Sequence, residues 1–177
     1  MENRIEEVLE KASQSSAENV PTEKYLTFFI DGQLFALQSS QVVEIIRMQP
    51  ITFMPHLPPF VKGVINLRGK IVPLIDLRLK LGKPEIEYND RTSIIVVETG
   101  EFSIGFIVDM VNDVVDVSNN QISESPRLGK DITNNYVSGI ATLEHEVALI
   151  LNLTKLLTED SNEVSPTVPS PDQAVGA

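Results

Sequence analysis

The chain has 177 residues, 42% of them apolar and 22% charged, which suits one domain or two small lobes sharing a core. Its formal net charge of −11 argues against a nucleic-acid binder, because phosphate contacts need clustered cations. It has no cysteine, which excludes disulfides and thiolate metal sites.

Residues 1–22 read as a helix and a linker. Ile5, Val8, Leu9 and Ala12 fall at i, i+3, i+4 and i+7, one apolar face of a helix that is marginal alone and must dock or fray. Ser13 to Thr22 is a polar linker containing Pro21. Met1-Glu2-Asn3-Arg4 does not open a signal peptide, and no run approaches the ~20 apolar residues of a membrane span. The expectation is a cytoplasmic protein.

From Tyr25 the period changes to two. Tyr25–Ile30 and Leu34–Leu37 flank Asp31-Gly32, a pair suited to a tight primed hairpin turn. Ser39–Ile46 opens with two N-cap candidates and is expected to form one or two helical turns. Ile51–Met54, Gly63–Arg68 and Lys70–Ile75 read as strands, and Asp76–Leu81 as a short helix closed by Gly82. Pro73 denies a ladder hydrogen bond, so its strand must be at an edge or bulged there. Ser93–Val97 and Ser103–Val108 bracket a second hairpin turn at Thr99-Gly100-Glu101. Val114–Val117, Val137–Leu143 and Val147–Leu151 complete about ten strands, and Leu153–Leu157 ends in a helical turn. The tail, 159–177, holds Pro166, Pro169 and Pro171 among polar residues and is expected to be disordered. The fold class expected is all-β, a barrel or sandwich, folded over 23–158.

Seven of the 14 basic residues cluster: Lys62, Arg68, Lys70, Arg78, Lys80, Lys83 and Arg91. The following stretch to Pro126 has no cation and carries Asp109, Asp113 and Asp116 among its acids. The cations read equally as a docking patch or as solvated turns. The aspartates read as a solvated acidic rim, since the glycine and terminal glutamate of a calcium loop are missing.

No catalytic constellation emerges. His56 and His145 lie in turns and not in a metal spacing, and there is no nucleophile elbow, P-loop or dinucleotide fingerprint. The sequence therefore implies no enzyme, metal or cofactor. A barrel that binds a small ligand or an oligonucleotide is disfavoured by the negative charge and by aromatics of only 6%.

The most distinctive segment is Phe60–Arg78. Two β-rich runs meet at Arg68-Gly69, which lifts Arg68 to a strand tip where its planar five-donor fork suits carboxylates or peptide carbonyls. A turn arginine is more often simply solvated, and the residues alone leave both readings open.

This segment resembles the signature of the CheW family, the coupling proteins of bacterial chemotaxis, through Lys62, Gly63, Asn66, Leu67, Arg68, Gly69, Pro73, Asp76, Leu77 and Arg78. Val43-Glu44-Ile45, Gly105 with Val108-Asp109 and Val111, and Gly139 with Leu149–Leu157 extend the resemblance over about Lys24 to Leu157. It implies two intertwined five-stranded barrels of the SH3/OB-like kind, with short helices. It also implies an adaptor bridging chemoreceptor tips to the regulatory domain of the histidine kinase CheA, without chemistry of its own, nucleic acid or membrane insertion. By motif, Arg68 and Glu44 become the strongest candidates for partner contact. Val42, Gly63, Ile71 and Gly105 would line the docking surface and receptor groove, with Leu67 and Gly69 completing the segment. Asn66, Asp76, Arg78 and Asp109 are weaker and are expected mostly to hold turns and lobes together.

Overall fold

Asp31 and Gly32 both take positive φ, 52° and 75°, which two-residue primed turns require. The turn joins β1 (Thr22–Ile30) to β2 (Gln33–Gln38), with Ile30 opposite Gln33. The computed structural model describes residues 20–124 and 133–158; the expected N-terminal helix and the expected disordered tail lie outside them.

The helical turns expected over 39–46 shrink to a single 3₁₀ turn, Ser39–Gln41, followed by β3 (Val42–Arg47). Val42, Val43, Ile45 and Ile46 are β-branched, and this favours a pleated strand over a helix once a neighbouring strand is available. Ile51–Met54 is not a full strand. Pro50 and Pro55 bracket it, and only Thr52 pairs, exchanging two hydrogen bonds with Val64 (2.8 and 3.0 Å).

β4 (Val61–Leu67) and β5 (Lys70–Asp76) follow, then α1 (Leu77–Lys80), whose N-cap Asp76 accepts from the Arg78 amide. β6 (Ser93–Glu98) and β7 (Ser103–Val108) form the second hairpin. β8 is longer than expected, Met110–Ser118, because it pairs along β1 from Thr22 to Phe29. After the 3₁₀ turn Asn119–Gln121 come β9 (Ile122–Glu124), α2 (Thr133–Tyr136), β10 (Val137–Thr142), β11 (Val147–Leu151) and α3 (Leu153–Thr158).

The strands make two sheets, in the orders β8-β1-β2-β11-β10-β9 and β3-β6-β7-β5-β4. One lobe is therefore built from the two ends of the described chain and the other from its middle. Six and five strands replace the expected five and five, the extra one being the three-residue β9. Each sheet curls on itself. β8 and β9 are at opposite ends of the first sheet yet only three residues apart in sequence. In the second, the segment after β3 returns through Thr52 to pair with β4, the strand at the opposite end.

Pro73 sits where β5 pairs with β4 alone; pairing with β7 begins at Leu74. The strand is interior in the sheet order but an edge at its proline, so no ladder hydrogen bond is sacrificed.

Leu26, Phe28 and Ile30 of β1, with Phe35 and Leu37 of β2, pack against Ile95, Val97, Ile104, Phe106 and Val108 of the second lobe in one shared core. Alternate residues of the same strands fill private cores: Tyr25, Leu34 and Ala36 in the first lobe, Ile94, Val96 and Ile107 in the second. These strands are buried on both faces, so the period of two expected from Tyr25 onward gives way in them to continuous buried runs.

Candidate functional site

The β4–β5 turn repeats the primed geometry of the first hairpin. Arg68 has φ 52° and Gly69 φ 85°, with Leu67 opposite Lys70. Asn66 pins the turn, its Oδ1 accepting from the Gly69 amide at 2.8 Å. Arg68 then reaches the far end of its sheet, where Nη1 and Nη2 donate to the two carboxylate oxygens of Glu44 on β3, each at 2.9 Å. Glu44 is opposite Val96, so it shares the face of β3 that packs into the second lobe. Its side chain is 22% exposed, that of Arg68 76%.

The fork occupies two of the five guanidinium donors and leaves three facing solvent. Beside it runs the outer face of β4 and β5, where Asn66 is opposite Ile71. Ile71 is 65% exposed, and Val43 and Ile45 on β3 are exposed too. Phe53, next to the bridging Thr52, is the most exposed large apolar side chain of the described residues. A cation with unused donors on the same hairpin as exposed Ile71 has the chemistry of a protein–protein contact, while Val43 and Ile45 are on the opposite face of β3 from Glu44 and Phe53 adjoins the Thr52–Val64 bridge.

The other expected contact residues stand elsewhere. Val42 is half-buried against the shared core, and Leu67 packs on the second lobe's core. Gly63 and Gly105, expected to line the docking surface, are buried and present none of it. A Cβ on Gly63 would run into the Thr52 carbonyl oxygen, and one on Gly105 would come within 2.5 Å of Leu74 and 2.7 Å of Ile94. Their smallness lets backbone and core close. Asp109 is not on an acidic rim. Its Oδ2 accepts from Arg78 Nη1 at 2.5 Å and from the Asp31 amide at 2.8 Å.

Arg78, with a side chain only 7% exposed, also donates from Nη2 to Asp31 Oδ1 (3.1 Å) and from Nε to the Pro84 carbonyl (2.9 Å). This cluster ties the hairpin tip of one lobe to the other. Below it Asp76 accepts from the Tyr88 hydroxyl at 2.7 Å. Burial first, then that hydrogen bond and the charges of Asp76 and Glu85, push the Tyr88 phenol well above its usual range.

Of the two readings left open for the basic cluster, a docking patch or solvated turns, neither describes it well. Arg78 and Lys80 are buried, Lys62 pairs with Glu85 and Arg68 with Glu44, so the cluster mostly satisfies the protein's own carboxylates and rings. Among the described residues no group of three His, Asp or Glu could hold a metal ion, and His56 and His145 are exposed in separate turns. Sequence reasoning passed over the exposed Val43, Ile45 and Phe53. The proline bracket around Phe53 was the available signal, since it denies that residue a strand to be buried in.

The family model of the CheW-like domain matches residues 24–161. The chain is 34% identical over 159 residues to the chemotaxis protein CheW of Bacillus subtilis, covering 90% of this chain and 99% of that protein. It is 29% identical over 144 residues to protein FrzA of Myxococcus xanthus, covering 80% and 89%. Among solved structures it resembles the scaffolding protein TtCheW from Thermoanaerobacter tengcongensis, with TM-score 0.72, 33% identity, and 78% and 94% of the two chains covered.

Proposed function

The chain belongs to the CheW family, and on that premise we propose that it is a non-catalytic adaptor of chemotaxis signalling, coupling chemoreceptor tips to the histidine kinase CheA. The observation that carries the reading is the Arg68–Glu44 fork on a hairpin that also presents exposed Ile71: spare donors and apolar surface on one turn. Glu44, Asn66, Arg68, Gly69 and Ile71 make the contact region. Val42, Gly63, Leu67 and Gly105 support it through packing, and Asp109 through the lobe junction. The adaptor works in the cytoplasm at receptor arrays, takes no metal or nucleotide, and folds over 23–158.

Kinase reconstitution tests this. Receptor-bearing membranes and kinase are assembled with and without the purified protein, and phosphorylation is followed. Receptor-dependent stimulation is the expected result. Failure to co-sediment with both partners, or turnover of ATP by the protein alone, would overturn the reading.

A further inference from the structure

Asp31 is the only one of the chain's nine aspartates that is followed by glycine, and no asparagine precedes a glycine. The pair forms the tip of the β1–β2 hairpin, with φ 52° at Asp31 and 75° at Gly32. An Asp-Gly bond can rearrange by itself, because glycine has no side chain to shield its amide nitrogen from the neighbouring carboxyl. Nothing else shields it here: a Cβ on Gly32 would meet no atom within 4 Å. The Asp31 side chain is 47% exposed, so water reaches it.

We infer that Asp31 is the chain's site of spontaneous aspartyl isomerisation, and that its joint with Arg78 and Asp109 sets the rate. The Gly32 nitrogen attacks Cγ of the protonated Asp31 carboxyl. The carboxyl hydroxyl leaves with the amide proton as water, closing a cyclic imide. Water then opens the ring in one of two ways. Addition at Cγ breaks the new bond and returns aspartate. Addition at the Asp31 backbone carbonyl breaks the original peptide bond, and the chain then runs through Cβ and Cγ. The product is isoaspartate, of unchanged mass, and no oxidant or cofactor is consumed.

The folded turn holds the carboxyl elsewhere. Asp31 Oδ1 accepts from Arg78 Nη2 at 3.1 Å, and the Asp31 amide donates to Asp109 Oδ2 at 2.8 Å. Ring closure requires the carboxyl to leave the guanidinium and swing over the Gly32 nitrogen, while the Asp31 backbone rotates. Both restraints must be released, which is a local opening of the joint. The product does not rebuild it. Isoaspartate adds a methylene to the backbone of a two-residue turn in which Ile30 is opposite Gln33. It also leaves the free carboxylate one carbon shorter, which undoes the bond to Arg78. An aged chain is therefore one with a loosened lobe junction, whatever its partners.

The full chain, incubated for weeks at neutral pH and body temperature, tests this. Isoaspartate is counted by methyl transfer from S-adenosylmethionine with a purified isoaspartyl methyltransferase, after trypsin releases Tyr25–Arg47, which contains no other Asp or Asn. This peptide should be the main methyl acceptor among the described residues, and Asp31→Glu should abolish its signal. Accumulation in the folded chain should be about tenfold or more slower than in urea, and Arg78→Ala should recover most of that difference. Gly63→Ala, which destabilises the second lobe without touching the joint, should change the rate by less than about twofold. If Arg78→Ala fails to fold by circular dichroism, Asp109→Asn replaces it and must also accelerate the reaction. A folded chain as fast as the unfolded one, or a Tyr25–Arg47 peptide that stays unmethylated in the joint variant, overturns the inference. Equal acceleration by Gly63→Ala overturns it as well, because the reaction would then pass through global unfolding and not through the joint.

Discussion

Arg78 and Asp31 belong to different lobes, 47 residues apart, yet share a hydrogen bond of 3.1 Å over Asp109. Asp109 is the middle of the joint: it accepts from the Arg78 guanidinium on one side and from the Asp31 amide on the other. The hairpin that looks like a local turn in the sequence is thus anchored by an arginine from the other lobe.

Replacing that arginine should be costly. Arg78→Ala leaves Asp109 and Asp31 facing each other without their cation. Breaking a buried ion pair costs about 3–5 kcal/mol, and the partial exposure of both aspartates places this case near 3. For a chain of this size that is a fall of about 6–12 °C in Tm by calorimetry. Asp31→Asn, which keeps an acceptor and removes only a half-exposed charge, should cost less than about 1 kcal/mol. Equal losses in the two variants would mean that the charge of Asp31, and not that of Asp109, holds the cation at the joint.

Two glycines of the β4–β5 hairpin should respond differently to alanine. Gly63 has φ 138° and its Cβ would strike Thr52, so Gly63→Ala strains the backbone and opens the bridge that closes the second lobe. A cost of about 2 kcal/mol or more is expected. Gly69 has φ 85° with open space around it, and Gly69→Ala should cost only about 1 kcal/mol of left-handed backbone strain. Urea denaturation of both variants checks the order; the reverse order would remove Gly63 as the closing residue.

Tyr88 gives the molecule an alkaline signature. Its folded-state pKa is raised, so the phenol's contribution to stability is complete below the unfolded value of about 10 and is lost as pH climbs above it. In an ultraviolet titration the Tyr88 step, isolated as the difference between the unsubstituted protein and Tyr88→Phe, should fall above pH 10 and coincide with unfolding. A step at the ordinary value in folded protein would show that neither the burial of Tyr88 nor its hydrogen bond to Asp76 holds in solution.

What was legible in the sequence follows the range of each interaction. Asp31-Gly32 and Arg68-Gly69 were readable as turns because a primed turn is written in two adjacent residues. Gly82 ended its helix as expected, with φ 74°. The strand at Val42–Arg47 was misread because Ser39 and Ser40 are local helix signals, whereas the pairing of β3 with β6, some fifty residues away, decides the outcome. Composition puts Asp109 on an acidic rim because its cation comes from Arg78, 31 residues earlier, whereas the motif resemblance expects it to hold turns and lobes together, as its hydrogen bonds do. The cationic cluster was ambiguous for the same reason: Glu44 and Glu85 cancel charges that composition alone counts as free. Of the candidate site, the motif marks the β4–β5 turn but does not separate residues that touch solvent from those, such as Gly63 and Gly105, that make room for packing.

Arg68 and Glu44 allow the fork to be separated from the contact. The pair is largely solvent-exposed on the arginine side, so breaking it with Arg68→Ala should cost about 0.2–1 kcal/mol, with circular dichroism unchanged. At an interface the three spare guanidinium donors, partly desolvated on the hairpin that carries Ile71, are worth about 2 kcal/mol or more, over tenfold in affinity. Arg68→Ala should therefore fold and fail to support kinase activation. The charge-swapped pair Arg68→Glu with Glu44→Arg decides what was lost. It rebuilds the link between β3 and the β4–β5 turn but moves the guanidinium to a half-buried strand position, away from the tip. If the swap restores stability and leaves coupling broken, the tip arginine itself meets the partner. If coupling returns with stability, the fork only braces the second lobe, and the contact belongs to Ile71 and its apolar neighbours.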